Sequence, residues 1–175
     1  MTSALHDYSN DASFMRDALA QAQMAADANE VPVGAVIVFD KKIISQGYNC
    51  RESRQNPLAH AEIIAIEQAA SVSRDWRLTE CDMYVTLEPC IMCVGALLQA
   101  RIRRLIFGCL DPKAGAAESL YRLCADSRLN HRVSVTGGVL GAECATLLED
   151  FFRSLRESKK RTRQAERWPS PVEGA

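Results

Sequence analysis

Apolar residues at Phe14, Ala18, Ala22 and Ala25 recur at three- to four-residue spacing, which lines one face of a helix. Ser13 stands just ahead of the run and suits an N-cap, so the pattern predicts a helix from Ser13 to about Ala28. Val33 to Phe39 is apolar almost throughout and reads as a buried strand. Asp40-Lys41-Lys42 turns it into a second strand from Ile43 to about Tyr48. Ile63, Ile64, Ile66, Ala69 and Ala70 support a helix that starts near Ala59. A strand at Met83–Leu87, a helix from Cys90 to about Ala100 opened by Pro89, and a strand at Arg104–Gly108 follow. A short helix around Ala116–Ala125, a strand at Val133–Thr136 and a helix from about Gly141 to Ser158 complete the pattern. Strands that alternate with helices after Met83 pair in parallel, whereas the opening hairpin is antiparallel. The expected fold class is therefore α/β: a mixed five-stranded sheet flanked by helices, forming one domain over residues 1–158. Residues 159–175 are charged and end in Pro169, Pro171 and Gly174, which predicts a basic, frayed tail.

Two short segments carry the chemistry: His60-Ala61-Glu62 and Pro89-Cys90-Ile91-Met92-Cys93. A catalytic zinc site uses three protein ligands and keeps one position for water, whereas a structural site closes with four. His60, Cys90 and Cys93 supply three, and Glu62 stands beside them without being needed as a ligand. It is placed to take a proton from that water and hand it on. Residues i and i+2 point to different faces of a regular helix, so His60 and Glu62 converge only where the helix begins. Cys90 and Cys93 are i, i+3 neighbours on one helix face. Two helix N-termini then aim their positive ends at the metal, which favours thiolates.

Other readings compete. A lone Cys-x-x-Cys also occurs as a redox pair or as core thiols. A structural zinc knuckle needs a second pair, and the chain has neither another Cys-x-x-Cys nor a His-x₃₋₅-His. Cys81 is one more candidate ligand, but it has no partner at ligand spacing. A redox pair leaves His60 and Glu62 unexplained, so a catalytic zinc is the reading that uses every residue.

The H-x-E and P-C-x-x-C pair is the signature of the zinc nucleobase deaminases, and this link is a resemblance. The chain resembles the cytidine deaminase superfamily and, within it, the bacterial tRNA-specific adenosine deaminase family. The likeness extends through Glu30-Val-Pro-Val-Gly-Ala35, Gly47-Tyr-Asn49, Asn56-Pro-Leu-Ala-His-Ala-Glu62 and Tyr84-Val-Thr-Leu-Glu-Pro-Cys-Ile-Met-Cys93. It continues in Phe107-Gly-Cys-Leu-Asp-Pro-Lys-Ala-Gly-Ala-Ala117, Asn130-His-Arg-Val133 and Asp150-Phe-Phe-Arg153, spanning nearly all of the chain from Ser13 to Arg156.

The resemblance implies a three-layer cytidine-deaminase-like fold, one Zn²⁺ per chain and a homodimer whose two subunits both touch RNA. It implies hydrolysis of the wobble adenosine of an arginine tRNA to inosine, with the base flipped out of the single-stranded anticodon loop. It carries over substrate contacts at Asn49, Asp111, Lys113, Phe152 and Arg156. Taken alone, Asn49 and Asp111 read as turn residues and Phe152 as core packing. His131 reads as a structural hydrogen-bonding residue, with an RNA contact as the family alternative. Relatives commonly carry Arg-Pro after the asparagine; here Cys50-Arg51 stands there, and Arg51 is the candidate substitute. A deaminase of free guanine or cytosine on the same fold is the rival enzyme. A zinc-stabilised binding protein without turnover is the rival from another class.

Composition adds limits. At 175 residues, 47% apolar and 25% charged, the chain has the makeup of one globular domain. No apolar stretch approaches the roughly 18 residues of a membrane span, and Met1 to Asn10 is too polar for a signal peptide. Seven cysteines in no disulfide-like spacing predict reduced thiols and a cytoplasmic protein. The net charge of −1 does not advertise nucleic-acid binding, but it is uneven. From Phe152 onward there are seven Lys or Arg against three Glu, a run that is usually a solvated helix end and that becomes a phosphate-contacting segment beside a site for a polyanion.

Overall fold

Alternation along the central strands decides the layering. In a computed structural model, which describes residues 8–167 with side chains for residues 10–162, the chain forms α1 (Tyr8–Asp27), β1 (Gly34–Phe39), β2 (Lys42–Tyr48) and α2 (Ala61–Ser73). It continues as β3 (Asp82–Leu87), α3 (Ile91–Ala100), β4 (Arg104–Cys109), β5 (Ser134–Thr136) and α4 (Gly141–Arg167). Ala35, Ile37, Met83, Val85, Leu105 and Phe107 pack on one side against α2 and α3. Val36, Val38, Tyr84 and Ile106 point the other way, toward Met15 and Ala18 of α1 and Cys144 of α4. Both faces are thus apolar, as a sheet covered by two helical layers requires.

The sheet is five-stranded in the order β2-β1-β3-β4-β5. β1 pairs antiparallel with β2 and β3, while β3–β4 and β4–β5 are parallel. Asp40 and Lys41 both have positive φ, 46° and 60°, the geometry of a two-residue hairpin turn whose twist matches its strands. With this topology the start of β1 and the C-terminal ends of β2, β3 and β4 meet at one edge of the sheet.

Four boundaries differ from those the sequence pattern predicts. α1 is already helical at Tyr8, so Ser13 is not its cap; Met15 is buried in the core and Phe14 packs against its edge beside Tyr84. The upstream turn is fixed by Asp11, whose carboxylate accepts from the Tyr84 hydroxyl at 2.7 Å and from Arg104 at 2.9 Å. α3 starts at Ile91 with Cys90 as N-cap, which leaves Pro89 outside the helix; its carbonyl accepts from Ala116 N–H at 2.9 Å. The predicted helix around Ala116–Ala125 is mostly turn, with one 3₁₀ turn at Leu123–Ala125. α4 continues beyond Ser158 to Arg167, in keeping with Lys159, Lys160 and Arg161 being good helix formers. The remaining tail positions, 168–175, lie outside the described residues.

Candidate active site

The first turn of α2 lies directly on β2. A Cβ at Gly47 would sit 2.6 Å from the Ala61 carbonyl oxygen, so only glycine lets the helix start approach this closely. That approach sets His60 at the N-cap of α2 with extended φ, ψ of −79° and 151°. Cys90 has the matching place at the N-cap of α3, at −73° and 174°. Neither side chain makes a capping hydrogen bond. Instead both project into the space between the helix starts, where Cys93 joins them.

Sγ of Cys90 and Cys93 are 3.6 Å apart, and His60 Nδ1 is 3.9 Å from the first and 3.5 Å from the second. Ligands at ordinary zinc bond lengths in a tetrahedron have S···S edges of about 3.8 Å and N···S edges of about 3.6 Å. The triangle therefore fits a tetrahedral ion with one vertex left open, and these residues could hold a metal. The Cys93 hydrogen bond, aided by one from His60 and opposed by burial, lowers the Cys90 thiol to about 4. Its bond to Cys90 and burial push the Cys93 thiol up. The Cys90 hydrogen bond also raises His60. Burial raises the Glu62 carboxyl above the usual carboxylate range. A cation held by the three residues would reinforce the lowering at Cys90 and oppose the raised values at Cys93, His60 and Glu62.

Glu62 is 4% exposed and shares a cavity of about 210 Å³ with His60, Cys90, Asn49, Arg51 and Asp111. Asn49 donates Nδ2–H to Glu30 Oε2 at 3.4 Å and to the Val31 carbonyl at 3.3 Å. Both partners only accept, which fixes the amide orientation. Asp111 Oδ1 accepts from the Lys113 and Ala114 N–H groups at 2.9 and 3.2 Å, so the turn character read from sequence is also present.

Lys113, Phe152 and Arg156 do not reach this cavity. They meet in an open groove of about 490 Å³ with Leu148, Glu149 and Arg153. Phe152 is 40% exposed rather than core, with the Phe151 ring edge-on at 5.5 Å. Asp111 and Lys113, two residues apart, link cavity and groove. His131 Nε2 lies 2.8 Å from the Ile102 carbonyl, the structural role expected of it. Cys81 is buried away from the three-residue metal group, so it adds no fourth ligand there.

Two buried carboxylates escaped sequence reasoning. Glu30 accepts N–H bonds from Glu52 at 3.1 Å and Ser53 at 2.6 Å, which hold the segment after Asn49. Burial raises its carboxyl, but the bonds from Ser53 and Glu52 outweigh that and leave it below the usual range. Glu88 receives several donors from the loop after β4, with the same net lowering against burial. Glutamates inside apolar or helix-forming surroundings were the available signal.

A model of the MafB19-like deaminase family matches residues 9–156. The chain belongs to that family. Similar proteins include the tRNA-specific adenosine deaminase of Bacillus subtilis, 42% identical over 88% of this chain and 96% of the relative. That of Haemophilus influenzae is 46% identical over 86% of this chain and 87% of its own. Among solved structures, a tRNA:A34 deaminase described as editing A to I at the wobble position matches with a TM-score of 0.75 and 42% identity, over 78% of this chain and 99% of that one. The chain is a deaminase, with the mixed five-stranded sheet flanked by helices that its patterning predicts. No helix among the described residues is long and apolar enough to cross a membrane.

Proposed function

We propose that this deaminase converts the wobble adenosine of a tRNA, an arginine tRNA foremost, to inosine with release of ammonia. The reading is carried by one observation: a ligand triangle of tetrahedral dimensions with one open vertex, sharing a cavity with a buried carboxylate. One zinc per chain, held by His60, Cys90 and Cys93, would supply the Lewis acidity that makes water nucleophilic near neutral pH. Glu62 is the proton shuttle. It accepts one proton from the attacking water and delivers it to N1 of the purine, then accepts the second from the new C6 hydroxyl and delivers it to the departing amine. Asn49 holds the flipped base against the cavity wall, and Asp111 borders it. Burial of Glu62 keeps bulk water from competing for those protons.

Lys113, Phe152 and Arg156 serve the RNA outside the cavity. An exposed phenyl ring between cations suits a stacked base flanked by phosphates. The enzyme acts as a homodimer in the cytoplasm, a location supported by seven free cysteines.

The test is inosine formation by the zinc-loaded protein on an anticodon stem-loop, run beside free adenosine, cytosine and guanine. Turnover of the stem-loop alone is expected. Turnover of a free base instead would give the site to a small-molecule deaminase, and binding of the stem-loop without turnover would make it a binding protein.

A further inference from the structure

Glu88 lies between the end of β3 and the first cysteine of the metal group, and the proposed chemistry does not use it. Its side chain is 2% exposed. Oε1 accepts the consecutive backbone N–H groups of Ala117 at 3.1 Å, Glu118 at 2.7 Å and Ser119 at 2.8 Å. Oε2 accepts Asp111 N–H at 3.0 Å and the Ser119 hydroxyl. Five donors more than fill the roughly four lone-pair sites of a carboxylate. The loop closes around the group so tightly that a Cβ at Gly115 would sit 2.3 Å from both Cδ and Oε2 of Glu88. A bridge between Cys90 and Gly115 pins the loop further.

We propose that Glu88 is a positioning residue for substrate binding: its buried carboxylate fixes the 111–119 loop, which brings Asp111 and Ala114 to the cavity wall and Lys113 to the outer groove. The substrate part rests on the tRNA reading above; the clamp itself does not. A neutral amide cannot replace the carboxylate here. Whichever way glutamine turns, its NH₂ meets either the row of three N–H groups or the Asp111 N–H and Ser119 hydroxyl.

The experiment uses full-length, zinc-loaded Glu88→Gln and, as a change made from the loop side, Gly115→Ala. Hydrogen exchange at Asp111, Ala117, Glu118 and Ser119 is expected to speed by about tenfold or more in both, with α2 and α3 amides still protected. Metal should remain at wild-type stoichiometry. On the stem-loop, KM should rise about tenfold while kcat stays within about threefold, because the loop binds substrate and does not move the proton. Unchanged loop exchange overturns the clamp. Loss of metal and kcat at constant KM overturns the positioning role, since Glu88 would then act only as a support for Cys90. Wild-type protein that makes no inosine overturns the tRNA reading, while the exchange measurement still decides the clamp.

Discussion

The two ends of β3 hold different kinds of buried charge. At its N-terminal end Asp82 accepts from both Arg103, at 2.9 Å through each of two nitrogens, and Arg104 at 3.2 Å. Arg104 passes on to Asp11, which also accepts from Tyr84. Each acid there has a base or a donor, and the cavity of about 480 Å³ beside them offers no group that could hold a metal among the described residues. At the C-terminal end His60, Cys90 and Cys93 converge as the one group able to hold a metal among the described residues, with Arg51 and Glu62 lining the same cavity. A closed network is satisfied by the fold itself. Two thiols and an imidazole at tetrahedral spacing suit a metal ion, and that difference in chemistry separates the two ends.

The contrast breaks most sharply at Cys90. Removing one corner of the triangle by Cys90→Ala should release the metal and abolish turnover, read by elemental analysis beside inosine formation. Stoichiometric metal with normal activity in that variant would give the site a different ligand set. Next in size is Glu62→Ala, which takes away the proposed proton shuttle but none of the three proposed ligands. It should keep metal and RNA affinity while single-turnover inosine formation drops by roughly 10²–10⁴-fold. Near-normal turnover in the fully metallated variant would assign the shuttle elsewhere.

At the other end the effect should fall on stability alone. The Arg104 side chain is 15% exposed and Asp11 is 5% exposed, so Arg104→Met leaves the buried Asp11 carboxylate without its cation, while Asp82 keeps Arg103. Breaking a buried pair from one side costs about 3 kcal/mol or more. Denaturant melts should register that loss, with kcat and metal content unchanged. A variant as stable as the parent, or one with kcat reduced, would erase the distinction between the two ends.

Much of this was legible in sequence because it was local. His-x-Glu and Cys-x-x-Cys, read with the apolar runs after them, place His60 and Cys90 at helix starts, and the apolar runs of β1, β3 and β4 give a sheet buried on both faces. Distant partners were not legible. Ala116–Ala125 has helix-forming composition, yet Ala117, Glu118 and Ser119 aim their N–H groups at Glu88, whose side chain arrives from another strand. Ser13 looked like a cap because nothing nearby in sequence reveals that Asp11 pairs with Tyr84 and Arg104, 73 and 93 residues away. Phe152 looked like core because an aromatic on an amphipathic helix usually is; α4 turns Phe151 inward instead.

The reactive end extends outward through Lys113 to the groove on α4, where the expected effects are smaller and salt-dependent. Neutralising Arg153 and Arg156 together should weaken stem-loop affinity and lessen the salt slope by about one unit per lost phosphate contact. Arg153 also pairs with Asp150, so its share should be the lesser. Turnover at saturating RNA should change little. Affinity that is identical to the parent and independent of salt would return this face to plain solvation.

Glu30 sharpens the comparison, being a closed acid at the open end. Its carboxyl, raised by burial, is brought below the ordinary range by Ser53 and Glu52. A folded-state value below the unfolded one stabilises the fold above the unfolded value, and the contribution is lost as pH falls through the depressed one. Glu30→Gln should therefore lower stability at neutral pH and narrow its gap to the parent as the pH drops below the ordinary carboxylate range. Asn49 keeps its Val31 contact in that variant, so the rise in KM should be modest, about threefold or less. The measurement is a set of denaturant melts between neutral pH and the acid limit of folding. A gap between variant and parent that is flat across that range would mean that the Glu30 charge does not hold the loop, and that closure by donors is no guide to stability at this end of the sheet.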